Sequence, residues 1–129
     1  MIFRRTAKNE RGAAAVEFAL VLPVLIVLLL GMIEFSRVYN IQISLSNAAR
    51  EGARTMAITN DPGKAKAASV KAAPTVNPAL IPGDVTFDPA TCATGSTMTV
   101  TIDYEVELIT GLFGLKLPLA GKGVMQCGG

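Results

Sequence analysis

The chain has 129 residues, of which half are hydrophobic, and a formal net charge of +2. It contains no histidine, which excludes histidine-based proton relays, Ser-His-Asp chemistry and the usual zinc ligand sets. No glycine-rich phosphate loop or carboxylate-rich metal motif is present, and no spacing marks a Ser-Lys pair. The composition therefore predicts a protein that is not an enzyme and that needs no cofactor or metal.

A basic leader, residues 1–12, opens the chain. Its charged side chains are Arg4, Arg5, Lys8, Glu10 and Arg11. Because basic flanks stay in the cytoplasm, we expect the leader inside and everything after Ile33 outside. Residues 34–129 carry equal numbers of basic and acidic side chains. The positive excess thus belongs to the leader and indicates membrane topology, not nucleic-acid binding.

An apolar run follows the leader. Residues 18–33 carry no charge, and from Ala13 the run would form a helix of about 31 Å, close to the thickness of the hydrocarbon core. Glu17 lies near its start, and membrane helices tolerate both Pro23 and Gly31. We predict one transmembrane helix over residues 13–33. A cleaved secretory signal is the disfavoured alternative, because its apolar core would be shorter and would end at an Ala-x-Ala-like site.

Helical periodicity continues beyond the apolar run. A stripe at three- and four-residue steps comprises Val38, Ile41, Leu45, Ala48, Gly52, Thr55 and Thr59. Its side chains become smaller toward the C-terminal half, so another element can approach closely there. The segment Asn60-Asp61-Pro62-Gly63 predicts a stop. We expect a single helix from Ala13 to Thr59, about 70 Å long.

A small antiparallel sheet is predicted after this helix. Lys64–Ala73 should form a short helix that Pro74 ends, and Pro74–Pro89 should be mostly loop with a short strand at Asp84–Phe87. Thr97–Leu108 alternates apolar and polar side chains, which is typical of a strand with one buried face. A last strand is expected at Lys122–Cys127, after a loop at Ile109–Ala120. The outer half of the long helix is the available cover for the sheet, giving an α+β fold.

Two cysteines, Cys92 and Cys127, lie in the outer part of the chain. We expect them to be oxidised outside the cytoplasm, and one bridge would stabilise the fold by about 3–4 kcal/mol. A metal site is not expected, since two thiols without a histidine need two further ligands that no pattern supplies.

Two groups of charged residues allow more than one interpretation. Arg50 and Arg54 lie four residues apart on one helix face, beside Glu51, and repel each other slightly. Either carboxylates from the sheet domain or a partner meet them, or they form a solvated face. The carboxylates of Asp103, Glu105 and Glu107 share one strand face, which we interpret as solvated.

Two segments of this chain resemble the TadE-like family of pseudopilins, in the Tad (tight adherence, Flp) branch of type IV pili. The first is the join Arg11-Gly12-Ala13-Ala14-Ala15-Val16-Glu17-Phe18 at the start of an apolar helix with Pro23. The second is Asn47-Ala48-Ala49-Arg50-Glu51-Gly52-Ala53-Arg54. The resemblance covers residues 8–59 and implies a pilin-like fold, a long helix on a small sheet.

The resemblance also implies processing and assembly. A prepilin peptidase would cut after Gly12, so that the mature chain begins at Ala13. Glu17, followed by Phe18, would pair with the amino terminus of a neighbouring helix, because a carboxylate facing an ammonium in lipid costs less than either charge alone. The alternative is that Glu17 reaches back to the inner headgroups.

The role implied by the resemblance is that of a minor pilin needed for pilus assembly and adherence. The expected partners are other Tad pilins and pseudopilins, prepilin peptidase, the inner-membrane assembly platform and membrane lipid. The expected location is the bacterial inner membrane, with residues 1–12 cytoplasmic, 13–33 transmembrane and 34–129 periplasmic. Incorporation into the pilus is a further expectation. The alternative is an uncleaved single-pass envelope anchor or binding module.

Overall fold

The computed structural model describes the backbone of residues 3–109 and 115–128, and side chains from residue 9 onward within those ranges. The chain divides into two compact units, Met1–Phe35 and Ser36–Gly129. Helix α1, Phe3–Thr59, contributes to both. Its predicted end at Thr59 is confirmed.

The described part of the first unit is helical throughout. Helix α1 already includes residues 3–12, where the sequence prediction began the helix at Ala13. The leader segment has no proline and few residues of poor helix propensity, so nothing in it stops the helix. Every side chain from residue 9 to residue 33 is exposed. The most apolar 18-residue window has a mean hydropathy of 2.8, which makes this helix a candidate membrane span by length and composition.

In the second unit, one face of α1 is buried. The buried positions on it are Ile41, Leu45, Ala48, Ala49, Gly52, Ala53 and Met56. The predicted stripe is thus correct in its centre and too long at its C-terminal end, because Thr59 is exposed. Asn60 leaves the helix with a left-handed φ of 49°, and its N–H donates to the carbonyl of Met56 at 2.9 Å. This is a common way for a helix to end.

Helix α2, Pro62–Lys71, begins two residues earlier than predicted. The carboxylate of Asp61 accepts from the backbone N–H groups of Gly63 at 3.0 Å and Lys64 at 3.3 Å. Asp61 is therefore an N-cap, and proline is well suited to the first helical position. The same four-residue segment ends α1 and starts α2.

Three antiparallel strands form one sheet in the order β1-β2-β3. They are β1, Val85–Asp88, β2, Thr97–Glu107, and β3, Lys116–Gln126. Strand β2 alternates as predicted, with its inner face buried at Met98, Val100, Ile102, Tyr104 and Val106. Strand β1 starts one residue later than predicted, because Asp84 closes a 3₁₀ turn, Pro82–Asp84, by accepting from the N–H of Ile81 at 3.1 Å.

The predicted loop before β3 is wrong for residues 116–120. Strand β3 begins at Lys116, so that Leu117 lies opposite Val106 and Leu119 lies opposite Tyr104. Leu117 and Leu119 alternate with Lys116, Pro118 and Ala120. Proline is tolerated there because β3 is an edge strand. Residues 110–114 of the predicted loop lie outside the described part of the chain.

The outer half of α1 covers the sheet, as predicted, and two glycines of β3 make the approach very close. A Cβ at Gly121 would lie 2.5 Å from the carbonyl of Leu45, and one at Gly123 would lie 2.5 Å from that of Ala49. Strand β3 therefore rests on the backbone of the helix. Helix α1 also packs closely on α2, where Gly52 of α1 lies against Ser69 of α2, and Ser69 is fully buried.

Candidate assembly site

The predicted processing site lies in the exposed first unit. The backbone of Gly12 is helical, and no other part of the described chain comes within 4 Å of where its Cβ would be. Ala13 and Glu17 are four residues apart and so lie on one face of the helix, about 6 Å apart along its axis. Phe18 is 62% exposed. Within the described residues no hydrogen bond or ion pair occupies the carboxylate of Glu17.

The arginines predicted to interact lie on the side of α1 opposite its buried face. Arg50, Glu51 and Arg54 are all exposed. In the described parts of the chain no sheet carboxylate forms a salt bridge with either arginine, so their contact with a partner stays a prediction.

Two side chains of α1 donate hydrogen bonds to the sheet, and neither bond was predicted from the sequence. Arg37 Nη1 donates to the carbonyl of Glu107 at 2.7 Å, and Gln42 Nε2 donates to the carbonyl of Ala120 at 2.8 Å. These bonds and the glycine contacts fix the helix in register with the strands. Both are side chain to backbone contacts, for which the sequence contains no recognisable signal.

Tyr104 anchors the loop before β1. Its hydroxyl donates to the carbonyl of Pro78 at 2.7 Å. Burial raises the pKa of the Tyr104 hydroxyl, the charge of Arg37 lowers that pKa, and the charge of Asp84 raises it further. The neutral form that donates this hydrogen bond is thus the form that the fold favours.

The predicted disulfide is present. Cys92 and Cys127 are bonded, with their Cα atoms 5.6 Å apart. The N–H of Cys92 donates to Asn60 Oδ1 at 2.8 Å, and the N–H of Cys127 donates to the carbonyl of Ser96 at 2.8 Å. The bridge therefore joins the end of β3 to the loop before β2, and Asn60 holds that loop at the end of α1.

Among the described side chains, residues 9–109 and 115–128, no group of three or more His, Cys, Asp or Glu residues is placed to hold a metal ion.

A long N-terminal helix with a candidate membrane span, packed through its second half on a three-stranded antiparallel sheet, defines a pilin-like α+β architecture. The family model described as TadE-like protein matches residues 12–54. The match begins at Gly12 and ends at Arg54, so it includes the first segment from Gly12 onward and the whole of the second. Comparisons with curated proteins and with solved structures gave no match.

Proposed function

We propose that this protein is a minor pilin, or pseudopilin, of a Tad/Flp-type IV pilus, anchored in the bacterial inner membrane, matured by prepilin peptidase and needed for pilus assembly and adherence. The observation that carries the proposal is the join from Gly12 to Phe18 at the head of an exposed apolar helix, where the family match also begins. The remaining partners are other Tad pilins and the inner-membrane assembly platform.

The local structure supports cleavage after Gly12. Glycine is a poor helix former, costing about 1 kcal/mol relative to alanine, so the helix opens more easily there than at neighbouring alanines. The lack of nearby side chains leaves room for a peptidase. Opening of this turn would leave the second unit folded, because the first residue packed against its core is Val38, far along the helix.

Intact mass of the protein extracted from its native membrane tests the processing. We expect a mature chain that begins at Ala13. Gly12→Leu should insert normally and keep its leader, whereas the control Gly31→Leu, at another exposed glycine of α1, should be cleaved. Retention of residues 1–12 in the parent protein would instead favour the uncleaved envelope anchor.

Glu17 is the proposed assembly contact. An exposed carboxylate in an apolar helix is costly in lipid unless a cation meets it, and the new amino terminus of a neighbouring subunit supplies one. Glu17→Ala should remain inserted and cleaved, since removal of a charge eases insertion. It should nevertheless reduce co-purification with partner pilins and surface piliation, and Glu17→Gln should have a milder effect. Normal piliation by Glu17→Ala would show that Glu17 only reaches the headgroups.

A further inference from the structure

One face of α1 in the second unit is exposed, and its C-terminal end borders the end of β3. We call it the outer helix face, and its residues are Ile43, Asn47, Arg50, Arg54 and Ile58. All are exposed, with Ile43 43% and Ile58 65% accessible. Like charges four residues apart destabilise an isolated helix. This face thus combines two arginines that no described carboxylate meets with two large apolar side chains.

A groove of complementary character lies on the sheet. It has a volume of about 530 Å³, its acidic side chains are Asp84, Asp103 and Glu105, and Ile81 and Leu119 add apolar surface. Within the described residues no ion pair engages Asp103 or Glu105. Glu107, at the end of the same strand, is the carboxylate that meets a lysine, Lys116, at 3.7 Å. The groove is therefore negatively charged with an apolar lining.

The two surfaces cannot meet within one chain. Asp103 and Glu105 alternate with Ile102, Tyr104 and Val106, whose side chains are buried on the inner face of the sheet. The two carboxylates thus point away from α1, while Arg50 and Arg54 are exposed on α1, where Arg54 lines a pocket with Met125 and Gln126 at the end of β3. Arg50 and Arg54 also lie eight and twelve residues along α1 from Gln42, which is level with the groove, so a second molecule is needed to bring these arginines to these carboxylates.

We propose that the outer helix face of one copy docks, through Arg50 and Arg54, into the acidic groove of a second copy of this chain. The proposal rests on the proposed role in pilus assembly. A second copy is the favoured occupant because the chain itself carries both surfaces, and each matches the other in charge and in apolar flanks.

The strand register gives the displacement between the two copies. Asp103 lies opposite Ala120, whose carbonyl accepts from Gln42, so the groove is level with Gln42 of α1. Arg50 and Arg54 lie eight and twelve residues further along the helix, which is about 12 and 18 Å. Neighbouring copies are therefore staggered by about that distance along the helix axis. Since the two contact surfaces differ and each copy is displaced along the helix axis from the next, the contact repeats without closing and builds a row.

Cysteine cross-linking between two differently tagged full-length copies tests the contact. One copy carries Asn47→Cys on the outer helix face, and the other carries Ile81→Cys in the groove. The two are expressed together in a host membrane that lacks prepilin peptidase, so the result does not depend on cleavage. We expect a disulfide-linked pair of the two copies. Asn47→Cys with Thr97→Cys, at the other end of β2, is the matched control and should give little product.

Charge reversal then tests whether the contact depends on the attraction between the arginines and the carboxylates. Arg50→Glu with Arg54→Glu should lower the cross-linked yield roughly tenfold, because like charges then face each other. Asp103→Arg with Glu105→Arg in the other copy should restore it, and Arg50→Lys with Arg54→Lys should leave most of it.

Three results would overturn the proposal: an Asn47→Cys copy linked to itself, a yield unaffected by charge reversal, or an adduct with a different polypeptide in place of the second copy. Leader loss, measured separately in the native membrane, decides the proposed function independently of this contact.

Discussion

The contact between Gly52 of α1 and Ser69 of α2 makes a sharp prediction about packing. A Cβ at position 52 would overlap Ser69 Oγ, whereas the Cβ of Ser69 and Cγ1 of Val100 would each lie 3.5 Å away, at ordinary contact distance. Among the described residues, the Ser69 hydroxyl is thus the only obstacle to a methyl group at position 52. It is also buried without a hydrogen-bond partner among the described residues, so Ser69→Ala removes a group that contributes little to the folded state.

The expected effects follow from these distances. Overpacking at Gly52→Ala costs about 1–3 kcal/mol, and the better helix propensity of alanine returns about 1 kcal/mol. Gly52→Ala alone should therefore be neutral to about 2 kcal/mol destabilising. In the Ser69→Ala background the obstacle is gone, so the same change should stabilise by about 1 kcal/mol. The coupling energy between the two substitutions is then about 1–3 kcal/mol.

Urea unfolding of the full chain in detergent, followed by circular dichroism, measures all four members of the cycle. Gly31→Ala is the matched control, because nothing lies within 4 Å of its Cβ position; it should be additive with Ser69→Ala. A coupling below about 0.5 kcal/mol would refute the reasoning, since additivity within that limit is what independent sites show. Such a low coupling energy would mean that the Ser69 side chain rotates away from position 52 without a cost in free energy.

Three further predictions concern the sheet. Gly121→Ala should destabilise the folded protein by about 1–3 kcal/mol or more, because the methyl group would meet helix backbone that cannot move aside. Lys122→Ala, on the exposed face of the strand, is the control in the same urea unfolding experiment. The oxidised protein should resist thiol labelling until its disulfide is reduced. The double substitution Cys92→Ser with Cys127→Ser should lower the free energy of unfolding by about 3–4 kcal/mol. Two reactive thiols in the exported parent protein would contradict the disulfide. Above pH 10 stability should fall, because a raised Tyr104 pKa makes ionisation costlier in the folded state. Tyr104→Phe should remove that fall, and phenolate absorbance of Tyr39→Phe should give the raised pKa directly.

Features that depend on local pattern could be predicted from the sequence. The stop at Asn60-Asp61-Pro62-Gly63 and the alternation in β2 use chemistry that acts within a few residues. The disulfide could be predicted because only two cysteines exist. The match of the family model to residues 12–54 likewise falls on the segments whose residues carried the resemblance.

Features that depend on tertiary contact could not be predicted in this way. The sequence prediction places residues 116–120 in a loop, whereas the structure pairs them with β2. Pro118 is compatible with a strand there because β3 lies at the edge of the sheet. The bonds of Arg37 and Gln42 to strand carbonyls follow from the register between helix and sheet. That register is set by glycine contacts that no local pattern reveals.

The glycines of β3 also explain which surfaces remain available for partners. Because Gly121 and Gly123 bring the strand against the helix backbone at its centre, the larger side chains on the same face, Leu117 and Met125, are left at the two ends. They stay 42% and 38% exposed. A helix held this closely has little freedom to rotate, since rotation would drive the carbonyls of Leu45 and Ala49 into the strand. The outer helix face, with Arg50 and Arg54, is therefore presented at a fixed angle and height relative to the acidic groove. A fixed geometry of this kind is what a repeating contact between subunits requires, because any variation in the stagger would accumulate along the row.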